Sequence, residues 1–571
     1  MCGILAILNE PIRQNINIDG AIEEGKKRGP ENTKIVEKLN LKLIFHRLAI
    51  NGLDNASMQP IELLDCVLIC NGEIFNYKKL FNLFDIKPST NSDCEIIIHL
   101  YRKLGIEKCL QLLDGEFAFI LYDQSIHYCK DGDRLFFARD IFGTRPLYIG
   151  SNNNDLYALA SESKVMNYID ISCQQVPPGT YSYFHKSLKV LANWNPVITD
   201  RKYFNIPYYN SSLDKYENNM DIVCKSIYDN LCKAIKTRIV DTSERPIACL
   251  LSGGLDSSLV AAITSKYYDK QLHTFSIGMK GSLDLLNAKK VAKYINSKHH
   301  EIILTSEQFF DAIPEVIYNI ESFDTTTVRA SVGNYLISKY IANNSDAKVI
   351  LNGDGSDELT GGYIYFSDVP NDVEFDLECR KLLDNIHYFD VLRSDRSISS
   401  NGLETRTPFL DKTLVLYYMS LPAELRNPKS AFHKNFKLWD ELAEDYYFKN
   451  KSIFNYIKSR PEKLLLRYSV EVMDPTLLPS EILWRPKEAF SDGVSGESGS
   501  WFEIIQNKLR NYTSDNRYSY LPPTTKEQLY YRDLYQEQYY LSEKCIPYFW
   551  MPNFTTATDS SARTLKNYTT R

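Results

Sequence analysis

A chain of 571 residues, 44% hydrophobic and 24% charged, is sized for two or three globular domains rather than one. A formal charge of -6 with no long basic tract excludes the electrostatic footprint of a nucleic-acid binder, and no stretch approaches the ~18 apolar residues that cross a bilayer. Glu10, Pro11 and Arg13 interrupt any secretion signal, and the twelve cysteines form no CxxC pair, so the expectation is a cytoplasmic protein with reduced thiols and no structural zinc.

The chain opens MCGILAILNE. Cys2 is either one more apolar residue opening a buried strand or, once Met1 is clipped, a thiol that also carries a free α-amine. Up to about residue 195, short alternating runs punctuated by Gly, Asn and Asp predict strands at 41–50, 65–75, 116–123, 134–140 and 155–162, with a helix at 93–105. That grammar belongs to antiparallel sheets rather than βαβ units. Cys66 and Cys70 lie in one such run, CVLIC, where thiols serve as small buried hydrophobes. Residues 196–214 are polar and Pro-containing and read as a linker to a second domain at 215–571.

From residue 215 the pattern changes. KSIYDNLCKAIKTRIV reads as helix, RPIACLLSGG as a strand running into glycines, and SSLVAAITSKYY as helix again. LHTFSIGM, LLNAKKVAKYI and AKVILNGDG repeat the alternation, which predicts a doubly wound parallel sheet. Past about residue 365 the chain reads as mainly helical, with an irregular last twenty residues.

The sharpest local signal is LLSGGLDSS at 250–258. Ser252, Gly253, Gly254, Ser257 and Ser258 supply hydroxyls and open backbone N–H groups at a helix N-terminus, a cradle for phosphate. Asp256 in such a cradle would repel phosphate unless a cation intervenes, which implies Mg²⁺. NGDGSDE at 352–358 ends another strand of the same sheet and should face the first loop, with Asp357 as a second Mg²⁺ ligand. Arg329, Arg485 and Lys487, taken alone, read as solvated surface cations, and only the resemblance described below makes them candidates to neutralise a departing pyrophosphate. The loop is similar to the pyrophosphate loop of enzymes that split ATP between its α and β phosphates.

MCGI, RGP (28–30), HRLAI (46–50), NGEIFN (71–76), DCEII (93–97), LDGEFAF (113–119) and RDIFGTRPLY (139–148) together resemble the glutaminase domain of class II glutamine amidotransferases. The resemblance implies an N-terminal-nucleophile hydrolase fold, an αββα sandwich of antiparallel sheets. It implies that Cys2 attacks the glutamine amide with its own α-amine as base, and that the Asn71 side chain and Gly72 N–H stabilise the oxyanion. Arg47 would hold the substrate carboxylate, with Glu73 and Asp93 at its ammonium end.

LLSGGLDSSLVAA, TTTVRASVGNYLISKYI, GDGSDELTGGYIYF, GLETRTPFLD and ILWRPKEAFSDGV extend the resemblance along nearly the whole chain, to the asparagine synthetase family and closest to its eukaryotic-type members. This implies that ammonia travels from Cys2 through a tunnel and amidates aspartate activated by ATP as β-aspartyl-AMP. Leu250, Ile277, Asn352 and Gly353 would contact ATP, Asp256 and Asp357 the Mg²⁺-pyrophosphate, and Arg329 and Lys487 the phosphates. The substrates are then glutamine, aspartate and ATP, and a homodimer is the assembly the analogy suggests. Three departures stand out: Asp354 replaces the family's glutamate, Asn352 its serine, and Lys27 the histidine before RGP. They keep two other readings open, a related adenylating synthetase for another acid and a catalytically weakened paralogue with an interaction role.

Overall fold

A computed structural model describes the chain except residues 11–15, 125–131, 153–154, 188–192, 210–212, 214–215, 217–218, 241, 498, 540, 567 and 569–571. Arg13, Cys129 and parts of the expected linker lie outside the described residues.

The alternating runs of the first half become strands because period-two patterning gives each a face for two different cores. One six-stranded sheet runs 172–175, 148–151, 157–160, 3–8, 41–47, 32–38 and the other 195–202, 180–187, 132–139, 115–123, 66–74, 61–63. Neighbouring strands pair antiparallel, as Gly3–Leu8 does with Leu41–Arg47. Ile4, Ala6, Leu43 and Phe45 meet Ile69, Ala118, Ile120 and Phe137 between the sheets. The alternate residues Leu5, Ile7 and Ile44 pack outward on Val165 and Met166, and Leu68, Cys70 and Phe119 on Ile97 and Leu100. The result is the four-layer αββα sandwich.

Strand Asn195–Lys202 pairs with Thr180–Ser187, so the sheet continues into the stretch that reads as linker. This edge strand is exposed along most of its length, with Pro196 where a missing N–H costs little, so it carries no apolar alternation.

In the second half, five parallel strands lie in the order Lys298–Ile303, His273–Gly278, Ile247–Leu250, Val349–Leu351, Glu404–Arg406. Ile247, Cys249, Val349 and Leu351 pack against helices Met220–Thr237 and Leu255–Tyr267 on one face. Ala248, Phe275 and Ile350 pack against Ile313–Ile320 and Thr325–Asn344 on the other. The winding reverses between Ile247–Leu250 and Val349–Leu351, the switch point where open α/β sheets collect ligands. From Asp372 to Gln538 the chain is mainly helical, and its last described element is a short 3₁₀ helix, Ala562–Thr564. Among the described residues no helix is long and apolar enough to cross a membrane.

Buried charges join the halves. Arg28 pairs with Asp395 at 2.8 Å, Arg238 with Glu116 at 3.1 Å, and Arg396 with Glu162 at 3.3 Å. Each belongs to a wider network, since Arg28 also meets Glu162, Arg238 also Asp411 and Arg396 also Glu321, so removing one carboxylate leaves a buried arginine only partly compensated. The junction is therefore specified by charge as well as by packing.

Candidate active sites

Register places the first site. Gly3 lies opposite His46, so Cys2 and Arg47 sit side by side at one end of their sheet. The Cys2 thiol donates towards the Leu48 carbonyl at 3.5 Å. Arg47 is braced by the carbonyls of Gly52 and Asp54. Asn71 is fully buried, and neither its amide nitrogen nor its oxygen has a partner. A polar group stranded like this is costly unless a ligand satisfies it. Gly72 admits no side chain, because a Cβ there would meet the Glu116 carbonyl oxygen at 2.2 Å.

Glu73 accepts from Asn51 at 2.5 Å, and Asp93 accepts from the Ile74 N–H at 2.6 Å. Burial, with Asp93 and Glu404 nearby, pushes the Glu73 carboxyl well above its ordinary range, and burial raises Asp93 to about 6. Two buried carboxyls with no adequate counter-charge form a site that a cationic group would relieve.

Met1 is buried. Its ammonium donates to the Leu403 carbonyl at 3.5 Å, and burial lowers that amine to about 6. Burial likewise pushes the Cys2 thiol up to about 12.

The second site lies at the switch point. Helix Leu255–Tyr267 has Gly254 as its N-cap and no side-chain cap bond, which leaves first-turn N–H groups open to an anion. Ser252 and Ser257 are joined through their hydroxyls at 3.0 Å. Gly253 has φ +72°, and a Cβ on it would meet the Ala288 nitrogen at 2.4 Å. The two loops do face each other: Ser356 Oγ donates to Asp256 Oδ1 at 2.8 Å. A Cβ on Gly353 would meet that of Asp256 at 2.8 Å, so only glycine lets the loops approach so closely.

The space between the loops is a cavity of about 240 Å³. Leu250, Phe275, Ile277 and Ile337 form an apolar wall, and Ser252, Gly254, Asp256, Ser257, Asn352, Gly353, Asp354, Asp357 and Lys487 line the polar part. Lys463 Nζ bridges Asp256 Oδ2 and Asp357 Oδ1, each at 2.6 Å, and Lys487 Nζ reaches Asp357 Oδ2 at 2.5 Å. Burial opposes ionisation of Asp357, but the two ammonium groups outweigh it and hold the carboxyl below the usual range. Asp354 accepts from Arg393 at 2.9 Å and from Asn352 Nδ2 at 2.7 Å.

Three expected residues, Gly253, Ser258 and Arg329, do not line this cavity. Helix Thr325–Asn344 presents Thr326, Thr327, Ala330, Asn334 and Ile337 to it, while Arg329 is buried elsewhere in two-pronged pairs with Glu527 (2.6 and 2.8 Å) and Asp559 (2.7 and 3.0 Å). Its charge is spent on two carboxylates, and Lys463 supplies the cation at the phosphate loop instead. Ser258 turns into the protein interior and is fully buried. Arg485 lines the cavity but is paired with Asp284 and Glu488, both at 3.0 Å.

The family model of asparagine synthase matches residues 226–376 and 367–545, and that of the glutamine amidotransferase domain matches residues 1–196. Asparagine synthetase [glutamine-hydrolyzing] of Gallus gallus is 39% identical over 600 residues, covering 100% of this chain and 99% of its own. The Homo sapiens protein of that name is 37% identical over 606 residues, with the same shares. The chain belongs to the asparagine synthetase family. A solved glutamine phosphoribosylpyrophosphate amidotransferase from B. subtilis, complexed with ADP and GMP, aligns over 54% of this chain and 91% of its own, at 15% identity and a TM-score of 0.31. So loose a superposition leaves the fold resting on the sheets themselves.

Within the family pattern, two departures prove to be neighbours. Asn352 Nδ2 reaches Asp354, and also Ser394 Oγ at 2.6 Å and Thr405 Oγ1 at 3.3 Å. Its amide nitrogen therefore fixes the Asp354 carboxylate, while Asn352 itself still lines the cavity. Lys27, the third departure, pairs with Glu24 at 2.8 Å and lies over the Tyr318 ring of the other half at 4.8 Å, so it serves the junction. Sequence reading missed Lys463 and Arg393. Arg393 is a single cation inside helix Asp390–Ser399 and Lys463 a single cation just before helix Leu464–Met473, with no spacing to distinguish either from a surface residue.

Proposed function

We propose that the chain is a glutamine-hydrolysing asparagine synthetase in which Cys2 releases ammonia and the switch-point cavity adenylates and amidates aspartate. The observation that carries this reading is the link between the sites along strand Glu404–Arg406. Leu403, immediately before the strand, binds the Met1 ammonium, Arg145 Nη2 donates to the Thr405 carbonyl at 2.9 Å, and Thr405 Oγ1 meets Asn352.

With Met1 removed, the Cys2 amine takes the thiol proton and sulfur attacks the glutamine amide carbon. The amine returns that proton to the amide nitrogen as the C–N bond breaks, giving ammonia and a Cys2 thioester that water cleaves to glutamate. Asn71 and the Gly72 N–H hold the oxyanion, Arg47 the substrate carboxylate, and Glu73 with Asp93 its ammonium. The volume vacated by Met1, bounded by Arg28, Arg145 and Leu403, gives ammonia a water-poor start towards Asn352.

ATP lies with its base on the wall of Leu250 and Ile277 and its phosphates on the Ser252–Ser257 loop. An oxygen of aspartate's β-carboxylate attacks the α-phosphorus, and pyrophosphate leaves against Lys463 and Lys487. Ammonia then attacks the acyl carbon, AMP departs, and Asp354, aimed by Arg393 and Asn352, accepts the surplus proton. Asp256 and Asp357 are two hard oxygen donors beside the phosphate loop, a set that suits Mg²⁺ completing its shell with water and phosphate oxygens. Bound there, it would neutralise charge on the leaving pyrophosphate.

The test is pyrophosphate release from ATP with ammonium as nitrogen source. Release that depends on aspartate and accompanies asparagine is expected. Dependence on another acid would favour the related synthetase, and no turnover the weakened paralogue.

A pH profile tests the first site separately. Asp93 is raised to about 6 by burial, so it is ionised above that pH and protonated below it. Protonation removes charge that would hold the glutamine ammonium, so kcat/KM for glutamine should fall as pH drops through about 6. Asp93→Asn should lower the plateau and flatten that limb; an unchanged limb would assign it to another group.

A further inference from the structure

The far end of the synthetase cavity is walled by the C-terminal segment. Tyr548 and Trp550 line it together with Tyr363, Phe389, Asp390 and Arg393. A continuous chain of contacts runs from the reacting carboxylate to that wall. Arg393 donates to Asp354 at 2.9 Å and to Asp390 at 3.1 Å, and the Tyr363 hydroxyl lies 2.7 Å from both Asp390 and Glu358. The Trp550 ring packs on the Tyr363 ring at 5.6 Å and on the Tyr365 ring at 6.0 Å.

The segment is fastened at several points. The Trp550 N–H donates to Asp324 at 2.7 Å, and Asn553 donates to Glu378 at 2.9 Å. Asp559 takes the Arg329 guanidinium at 2.7 Å, and Arg563 pairs with Asp492 at 2.9 Å. Arg329, expected at the phosphates, instead ties the tail to helix Thr325–Asn344, the helix that lines the cavity.

We propose that Trp550 is a specificity-determining residue: the tail holds its ring as the end wall of the amino-acid pocket, fixing Tyr363 and limiting the acid to the length of aspartate. This rests on the function proposed above. Leu250 and Ile277 come from the sheet strands beside the phosphate loop, whereas Trp550 is joined to Asp354 through Arg393, Asp390 and Tyr363, so the acid is assigned to the Asp354 and Trp550 side of the cavity. An end wall discriminates by length, and one methylene in a packed pocket is worth about 10–200-fold in kcat/KM.

The test compares wild type, Trp550→Ala and Trp550→Phe as full chains, with aspartate and with glutamate, which is one methylene longer. Trp550→Ala is expected to raise the glutamate-to-aspartate ratio of kcat/KM by about 10-fold or more and to raise KM for aspartate, with KM for ATP unchanged. Trp550→Phe should restore most of the discrimination. Glutamine hydrolysis, at the other site, reports folding; if Trp550→Ala loses it, the ratio is read from Trp550→Leu.

An unchanged ratio, or a KM for ATP that moves in step with that for aspartate, would overturn the proposal. If wild type releases pyrophosphate only with another acid, the functional reading fails, and the wall is tested with that acid and its one-methylene homologue. If no acid turns over, calorimetric titration of aspartate with a non-hydrolysable ATP analogue decides: binding that Trp550→Ala weakens supports the wall, and no binding to wild type refutes it.

Discussion

Cys2→Ala is expected to abolish glutamine-dependent asparagine formation, with glutamine hydrolysis falling by at least about 10³-fold, while ammonium-dependent formation persists. Once Met1 is removed, Cys2 alone joins a thiol to the terminal α-amine. The nearby Cys70 and Cys94 are buried, and the Cys94 thiol is pushed well above its ordinary range by its contact with Cys70 and by burial. Protein that retains Met1 should behave like the alanine variant. Its amine sits on the wrong residue and binds the Leu403 carbonyl, and its Cys2 thiol is raised to about 12, so almost no thiolate exists at neutral pH. Mass spectrometry of the N-terminus alongside glutaminase activity checks this. Hydrolysis by fully Met1-retaining protein would refute the role of the amine.

Lys463→Gly carries the second large effect. Glycine is tolerated at this position because Lys463 has φ +60°, a conformation that glycine adopts without strain. Without the ammonium, Asp256 and Asp357 face one another across the phosphate loop, and the departing pyrophosphate loses one of its two cations. Ammonium-dependent turnover is expected to fall about 10²–10³-fold, the range for removing one preorganised charge from a transition state. Glutamine hydrolysis should remain, because Lys463 has no contact with the first site. Turnover equal to that of wild type would show that Lys487 alone serves the phosphates.

The sequence made much of the fold legible where burial imposes a period. Alternation at 41–50 and 116–123 predicts strands found at Leu41–Arg47 and Gly115–Asp123, because both faces of each sheet are packed. Asn195–Lys202 escaped because an exposed edge strand has no buried face to write a pattern. At the sites, LLSGGLDSS was readable by itself as a strand, a glycine loop and a helix, because the three are contiguous in the chain. Asn71 and Arg47 needed the family resemblance, because a buried amide or a braced arginine leaves no local trace. Arg329 was expected in the cavity and Lys463 was not expected at all, for a related reason. Which cation lines the cavity is decided by partners about 100 to 230 residues away, Glu527 and Asp559 for Arg329 and Asp256 and Asp357 for Lys463. Asn352 and Asp354 look like two independent departures in sequence and become one hydrogen-bonded unit in the fold.

The central claim is that the two sites act as one enzyme along the Cys2–Thr405–Asn352 line. The most direct measurement supplies amide-¹⁵N glutamine with aspartate, ATP and excess unlabelled ammonium, and reads the label in the asparagine amide. Channelled transfer predicts asparagine enriched well above the bulk ammonium. Asparagine labelled only to the bulk ratio, or no asparagine at all, would contradict it.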